Sequence, residues 1–166
     1  MRAIRLERRG DEATIDTLTT AAFREASHAS GLEARVIRLL RDAGELTISL
    51  LVEEDGTALG HVAVSPVRIT DGTTGWFGLG PISVLPAHQG RGLGSALMLA
   101  ALAALRGRGA AGCVLLGDPG YYGRFGFRND PDLVLAGVPA AYFQALAFTE
   151  VKPKGRVHYS AAFEGC

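Results

Sequence analysis

The chain predicts an α/β domain of the α+β kind: a mixed, mostly antiparallel central sheet flanked by helices on both faces. Three observations lead there. The strand patterns Leu46 to Glu53 and Ala58 to Thr70 meet at Glu54-Asp55-Gly56, and a third, Gly75 to Leu85, follows Asp71-Gly72, which together describe an antiparallel meander. The stretch Gly92 to Leu105 is helical and apolar almost all round, so it must lie between a sheet and another element. The short apolar run Gly112 to Leu116 then reads as a central strand reached by a helical crossover, hence parallel to its predecessor.

The elements follow in order. Ala3 to Arg8 is a short strand with Ile4 and Leu6 on one face, and Asp11 is an N-cap for a helix running to about Glu25. Gly31 precedes a second helix in which Val36, Ile37, Leu39 and Leu40 recur at helical spacing, and Gly44 ends it. In the third meander strand Pro81 cannot donate a ladder hydrogen bond, which marks a bulge or an unpaired position. Leu93, Leu97, Ala101 and Leu105 form one stripe of the apolar helix. A short helix and further strands follow Leu116. Within them Pro139 to Phe148, with Tyr142 and Phe143, is apolar and aromatic, and three roles are open to it: a cover over a cleft, core packing, or a homodimer contact.

Composition bounds the function. At 166 residues the chain fits one domain, 1–166, large enough for one substantial core. Its 17 basic and 17 acidic residues cancel, so bulk electrostatics favours neither nucleic acid nor an anionic membrane. Cys113 and Cys166 form neither a disulfide framework nor a metal-ligand cluster, and no metal is expected. Met1 to Gly10 is charged and lacks the apolar core of a signal peptide, and no apolar stretch is long enough to span a bilayer. A reducing, cytoplasmic location is the expectation.

The chemistry begins at Gln89-Gly90-Arg91-Gly92-Leu93-Gly94, set between the strand ending near Val84 and the apolar helix. A diphosphate needs several converging backbone N–H donors, which the first turn of a helix supplies together with its positive dipole end. Glycines remove the Cβ atoms that would hold the ligand away. No Lys and hydroxyl pair closes the run, so it is not a P-loop, and a nucleotide-hydrolysing domain is disfavoured. The dinucleotide fingerprint fails too: the third glycine comes one place early, and no acidic residue stands about 20 positions on.

What remains is Gln/Arg, any two residues, Gly, any residue, Gly/Ala, met here by Gln89, Gly92 and Gly94. This resembles the acetyl-CoA pyrophosphate loop of the GNAT acetyltransferases. The run Gly78 to Pro86 resembles that family's fourth strand. Val114 to Phe127, with Gly117-Asp118-Pro119, Tyr121-Tyr122 and Gly126-Phe127, resembles its fifth strand, short helix and Gly-Phe turn, most closely in the YhbS-like branch. The resemblance covers about residues 3 to 163; its motifs are specific for acyl-CoA and silent on the amine. It implies two central strands that splay apart at one end to admit acetyl-CoA.

The resemblance also implies direct transfer of an acetyl group from the thioester to a primary amine of a small molecule or protein. Cofactor contacts are implied for Ile82, Ser83 and Val84, whose backbone N–H groups polarise the thioester carbonyl, and for Gln89, Gly90, Arg91, Gly92, Leu93, Gly94 and Ser95. Arg91, Arg106, Arg108 and Arg124 lie on elements near the cofactor, with surface solvation the simpler reading for Arg106 and Arg108. The family places a proton-donating Tyr four residues before the Gly of its Gly-Phe turn; counting back from Gly126 reaches Tyr122, with Tyr121 as competitor. A phenol is protonated at neutral pH and can donate to sulfur. Asp118 stands where relatives often carry an Asn and is expected to cap the short helix.

The base carried by many relatives on the fourth strand has no counterpart in Trp76 to Gly80. Glu33, His61, Glu25 or water are the candidates, a lone strand histidine being more often structural. The rival to an enzyme is a non-catalytic acyl-CoA-binding regulatory module, which needs the loop but neither a placed tyrosine nor an amine site.

Overall fold

The computed structural model describes residues 1–166 except Glu25, Ser27 and His28. The elements are β1 (Arg2–Leu6), α1 (Glu12–Phe23), α2 (Glu33–Asp42), β2 (Ile48–Glu54), β3 (Thr57–Pro66), β4 (Arg68–Ile69), β5 (Trp76–Val84), α3 (Leu93–Gly107), β6 (Gly112–Leu116), α4 (Pro119–Tyr122), β7 (Leu133–Val134), β8 (Phe143–Ala147) and β9 (Gly155–His158). Six strands form one sheet in the order β1-β2-β3-β5-β6-β8, antiparallel except for the β5–β6 pair. A small second sheet, β4-β9-β7, sits beside it.

Helix α3 buries the stripe Leu93, Leu97, Ala101 and Leu105 on one face of the sheet, against Leu50, Val52, Val62 and Val64. Ile15 of α1 and Ile37 of α2 cover Leu51 and Ala63 on the other. Helices on both faces leave β2 and β3 buried on each side, which is why both read as near-continuous apolar runs. The turn between them places Asp55 at φ 51° and Gly56 at φ 82°, the two left-handed residues that a two-residue hairpin needs. Gly44, two residues past the end of α2, has φ 72°, as expected of a helix-ending glycine.

Two expectations are corrected. The strand foreseen over Ala58 to Thr70 breaks at Val67, whose N–H goes to Trp76 O, and β4 then crosses to the second sheet to pair with β9. Asp11 precedes α1 but does not cap it through its side chain. Its backbone lies in the right-handed helical region, and its carboxylate is taken by Arg5 at 2.7 and 3.0 Å and by the Arg8 N–H at 2.6 Å. Leu6 shares a face with Ile4 yet stays exposed, while Ile4 packs on the core. The α1 helix ends at Phe23, and Glu25 lies outside the described residues.

Pro81 sits in a bulge. Val62 pairs with Ile82 and Val64 with Leu79, so Gly80 and Pro81, joined by a cis peptide, together oppose Ala63 alone. Just before it the β5–β6 ladder ends: Trp76, Phe77 and Gly78 pair with Gly112, Cys113 and Val114, while the last two residues of β6, Leu115 and Leu116, pair with β8. The two central strands part from that point.

Candidate functional site

The chain between β5 and α3 makes a 3₁₀ turn at Pro86–His88 and then passes Gly90 at φ 78° and Gly92 at φ 80°. Both glycines hold a left-handed backbone that a Cβ would strain. The first helical bond of α3 runs from the Ala96 N–H to Gly92 O, 3.0 Å. Among the described residues the N–H groups of Leu93, Gly94 and Ser95 have no partner. The Gln89 amide donates to Val84 O at 3.1 Å and ties the loop to the strand end.

These groups face an opening of about 450 Å³ lined by Ile82, Ser83, Val84, Gln89, Gly90, Gly92, Leu93, Gly94 and Ser95, with His88, Tyr121, Tyr122 and Arg124. Arg91 is not part of that lining: its guanidinium holds Glu54 at 2.6 and 2.8 Å and reaches His88 Nδ1 at 2.8 Å. The Arg91 hydrogen bond in turn lowers the Glu54 pKa. Arg124 lies with its guanidinium carbon 4.5 Å from the centre of the Tyr121 ring, Arg106 rests on Phe148, and Arg108 is exposed.

Backbone direction along β5 follows from one bond. The Leu85 N–H donates to Leu59 O at 2.9 Å, so by antiparallel alternation the N–H groups of Val84 and Ile82 turn away from β3, toward the side where β6 has parted. A second cavity of about 580 Å³ continues there. Its floor is Leu79 to Ile82 with Leu115 and Leu116; its sides are Phe23, Ser30, Glu33 and Val36, then Leu135, Ala136 and Val138, then Tyr159, Ser160, Phe163, Glu164 and Cys166. The two openings have only Ile82 and Tyr122 in common.

The short helix α4 sets the tyrosines apart. Asp118 caps it, accepting the Gly120 N–H at 2.9 Å. The Tyr121 hydroxyl bonds Ser95 Oγ at 3.1 Å. The Tyr122 hydroxyl has no hydrogen-bond partner among the described residues, and burial pushes its pKa above the ordinary phenol value, which keeps it protonated at neutral pH. Its ring edge fills the space beside Gly117, where an added Cβ would come within 2.7 Å of Tyr122 Cδ2.

Residues 13–127 match the acetyltransferase (GNAT) family. The chain belongs to the GNAT acetyltransferase family. It is 38% identical over 125 residues to the uncharacterized N-acetyltransferase YhbS of Escherichia coli (strain K12), a span of 75% of this chain and 72% of that protein. A GNAT family acetyltransferase from Brucella melitensis, solved in complex with acetyl-CoA, superposes with a TM-score of 0.88 at 51% identity, covering 99% of each chain. YhbS from Escherichia coli, solved in complex with CoA, superposes with a TM-score of 0.89 at 32% identity, covering 98% of this chain and 91% of that one. The mixed sheet with its parallel β5–β6 pair is the α+β GNAT fold.

In this GNAT chain the base candidates fall in different places. His61 is fully buried under α1 and lines neither opening. Ser49 Oγ donates to Glu7 Oε1 at 2.7 Å, so it accepts from His61 Nε2, also at 2.7 Å, and Glu7 is held by Arg41 at 3.0 Å. Burial pushes the His61 pKa down to about 4. Glu33 does line the second cavity, its Oε2 accepting from the Ser30 N–H and hydroxyl at 2.8 and 3.0 Å. Pro139 to Phe148 lines neither opening: Phe143 is buried and β8 closes the sheet beside β6. Sequence reasoning missed Tyr159, Phe163 and Glu164. Their one local signal is the aromatic pair Tyr159 and Phe163, four residues apart and edge to face at 5.0 Å.

Proposed function

We propose that this chain, acting as one domain over residues 1–166, transfers the acetyl group of acetyl-CoA directly to a primary amine of a small molecule or protein, with Tyr122 as proton donor. The observation that carries the reading is the junction of the two openings at Ile82 and Tyr122. A cofactor held by the loop and a second reactant in the larger cavity meet there. The relatives solved with acetyl-CoA and with CoA support the choice of cofactor.

The unpartnered N–H groups at the start of α3, with Gly90 and Gly92, are the donors for a diphosphate. Gln89, Ser83 and Val84 line the path from there, and Arg124 adds positive charge on the same opening. The Ile82 and Val84 N–H groups face the gap and can donate to the thioester carbonyl as negative charge develops on its oxygen. Acetyl-CoA supplies an activated acyl carbon. As the amine nitrogen bonds to that carbon and the C–S bond breaks, the Tyr122 hydroxyl, free of other partners, gives its proton to the sulfur. The amine sheds its own proton to water or to Glu33.

The test follows CoA release over a panel of amines and peptides for the wild type and Tyr122→Phe. The variant is expected to lose about 100-fold in kcat while KM for acetyl-CoA holds within about twofold. Undiminished turnover would remove Tyr122 from the role. Cofactor binding with no turnover on any amine would make the chain a non-catalytic acyl-CoA-binding module.

A further inference from the structure

We infer that the acceptor is a small primary amine on an apolar, alkyl or aryl body, and not an amino sugar or a polypeptide. The inference rests on the acetyl-transfer reading above, and it comes from what the larger cavity offers an occupant. Phe23, Val36, Leu135, Val138 and Phe163 wall the space beyond the junction, and none of these side chains has a polar atom. The whole cavity holds about 580 Å³, and an apolar space of about 150 Å³ is enough for one benzene ring. An aryl or alkyl chain therefore fits beside the end of the cofactor.

The polar side chains of the cavity are mostly committed elsewhere. Ser160 donates to Glu45 Oε1 at 3.0 Å and accepts the Ala162 N–H at 3.1 Å, and Ser30 is engaged by Glu33. The Tyr159 hydroxyl is wholly buried and has no partner, so it offers nothing at the surface of the cavity. Among the described lining residues the charged side chains are Glu33 and Glu164; Arg24 shares a neighbouring depression with Glu33 but does not line this cavity. Glu33 Oε1 and both oxygens of Glu164 accept no hydrogen bond among the described residues, although the chain as a whole is neutral.

An occupant thus meets two carboxylates, the Tyr122 hydroxyl and hydrocarbon. One ammonium group is matched by the carboxylates. A ring of hydroxyls would be stranded on the apolar walls, and a polypeptide would leave most of its amides there without partners.

The experiment has two arms on the intact chain. In the first, acetylation of a series of straight-chain amines is timed; kcat/KM is expected to rise about fourfold per added methylene until the cavity is filled. In the second, calorimetry on the CoA-saturated chain compares phenethylamine with its neutral isostere phenethyl alcohol. The amine is expected to bind about tenfold tighter than the alcohol, and Glu33→Gln with Glu164→Gln to erase the difference. A flat alkyl series with faster acetylation of glucosamine or a peptide amine overturns the ligand class and leaves acetyl transfer standing. Charge-dependent binding of phenethylamine without acetylation of any amine upholds the ligand class and overturns acetyl transfer.

Discussion

Burial of His61 ties the stability of the domain to acidity. Desolvation is the main cause of its lowered pKa, about 4 against an ordinary 6.5, and the nearby Arg41 charge acts in the same direction while Glu7 opposes it. The unfolded chain therefore binds a proton that the folded chain refuses between those two values. Stability is complete above pH 6.5 and is lost as pH falls toward 4, by about 3 kcal/mol in all. Glu7 and Asp11 have lowered pKa values of their own, so their losses begin as the unfolded carboxylates take up protons, below about pH 5. The interval from pH 6.5 to about 5 thus belongs to the histidine. Urea midpoints measured across it should fall steadily for the wild type and hold nearly level for His61→Gln, whose amide can still donate to Ser49. Parallel slopes in the two proteins would disprove the assignment.

At the scale of elements, the junction of β6 and α4 decides where the proposed proton donor, Tyr122, stands. Gly117 has no Cβ, and the Tyr122 ring occupies the space that one would fill. Gly117→Ala should push the ring out of line and lower kcat by about 10-fold or more with little change in KM for acetyl-CoA. Steady-state kinetics with both substrates varied would show the split, and an unchanged kcat would mean that the ring need not rest there. That strand was legible in advance because its signals are local: Gly112 to Leu116 is apolar, short and followed by Gly117. The Asp55-Gly56 hairpin was legible for the same reason. The break at Val67 was not, since Arg68 and Ile69 leave β3 to pair with His158 and Val157, strand residues far along the chain. Asp11 misled because its capping role is a local preference overridden by Arg5, itself held by Glu53 on the neighbouring strand.

Across the whole molecule the two halves of the site differ in how much of them a sequence can reveal. The loop from Gln89 to Ser95 and the strand end before it are contiguous, so a local pattern with its flanks can single them out as candidates. The walls of the larger cavity come from α1, α2, the segment after β7 and the segment after β9, and only folding brings them together. The smaller opening, for its part, is bounded by the end of β5, the start of α3 and α4 with the turn after it. A ligand bound there ties three otherwise separate elements, so it should stabilise the entire domain by mass action. At 100 times its dissociation constant CoA would add about 2.7 kcal/mol, which for a chain of this size raises Tm by roughly 5–10 °C. Gly92→Val should abolish that rise, because a branched side chain at φ 80° both strains the turn and stands at the mouth of the N–H cluster. The variant's own Tm, without CoA, should sit a few degrees lower for the strain alone. Thermal melts of both proteins at increasing CoA separate the two effects; an equal CoA-dependent rise in wild type and variant would remove the α3 N-terminus from cofactor binding.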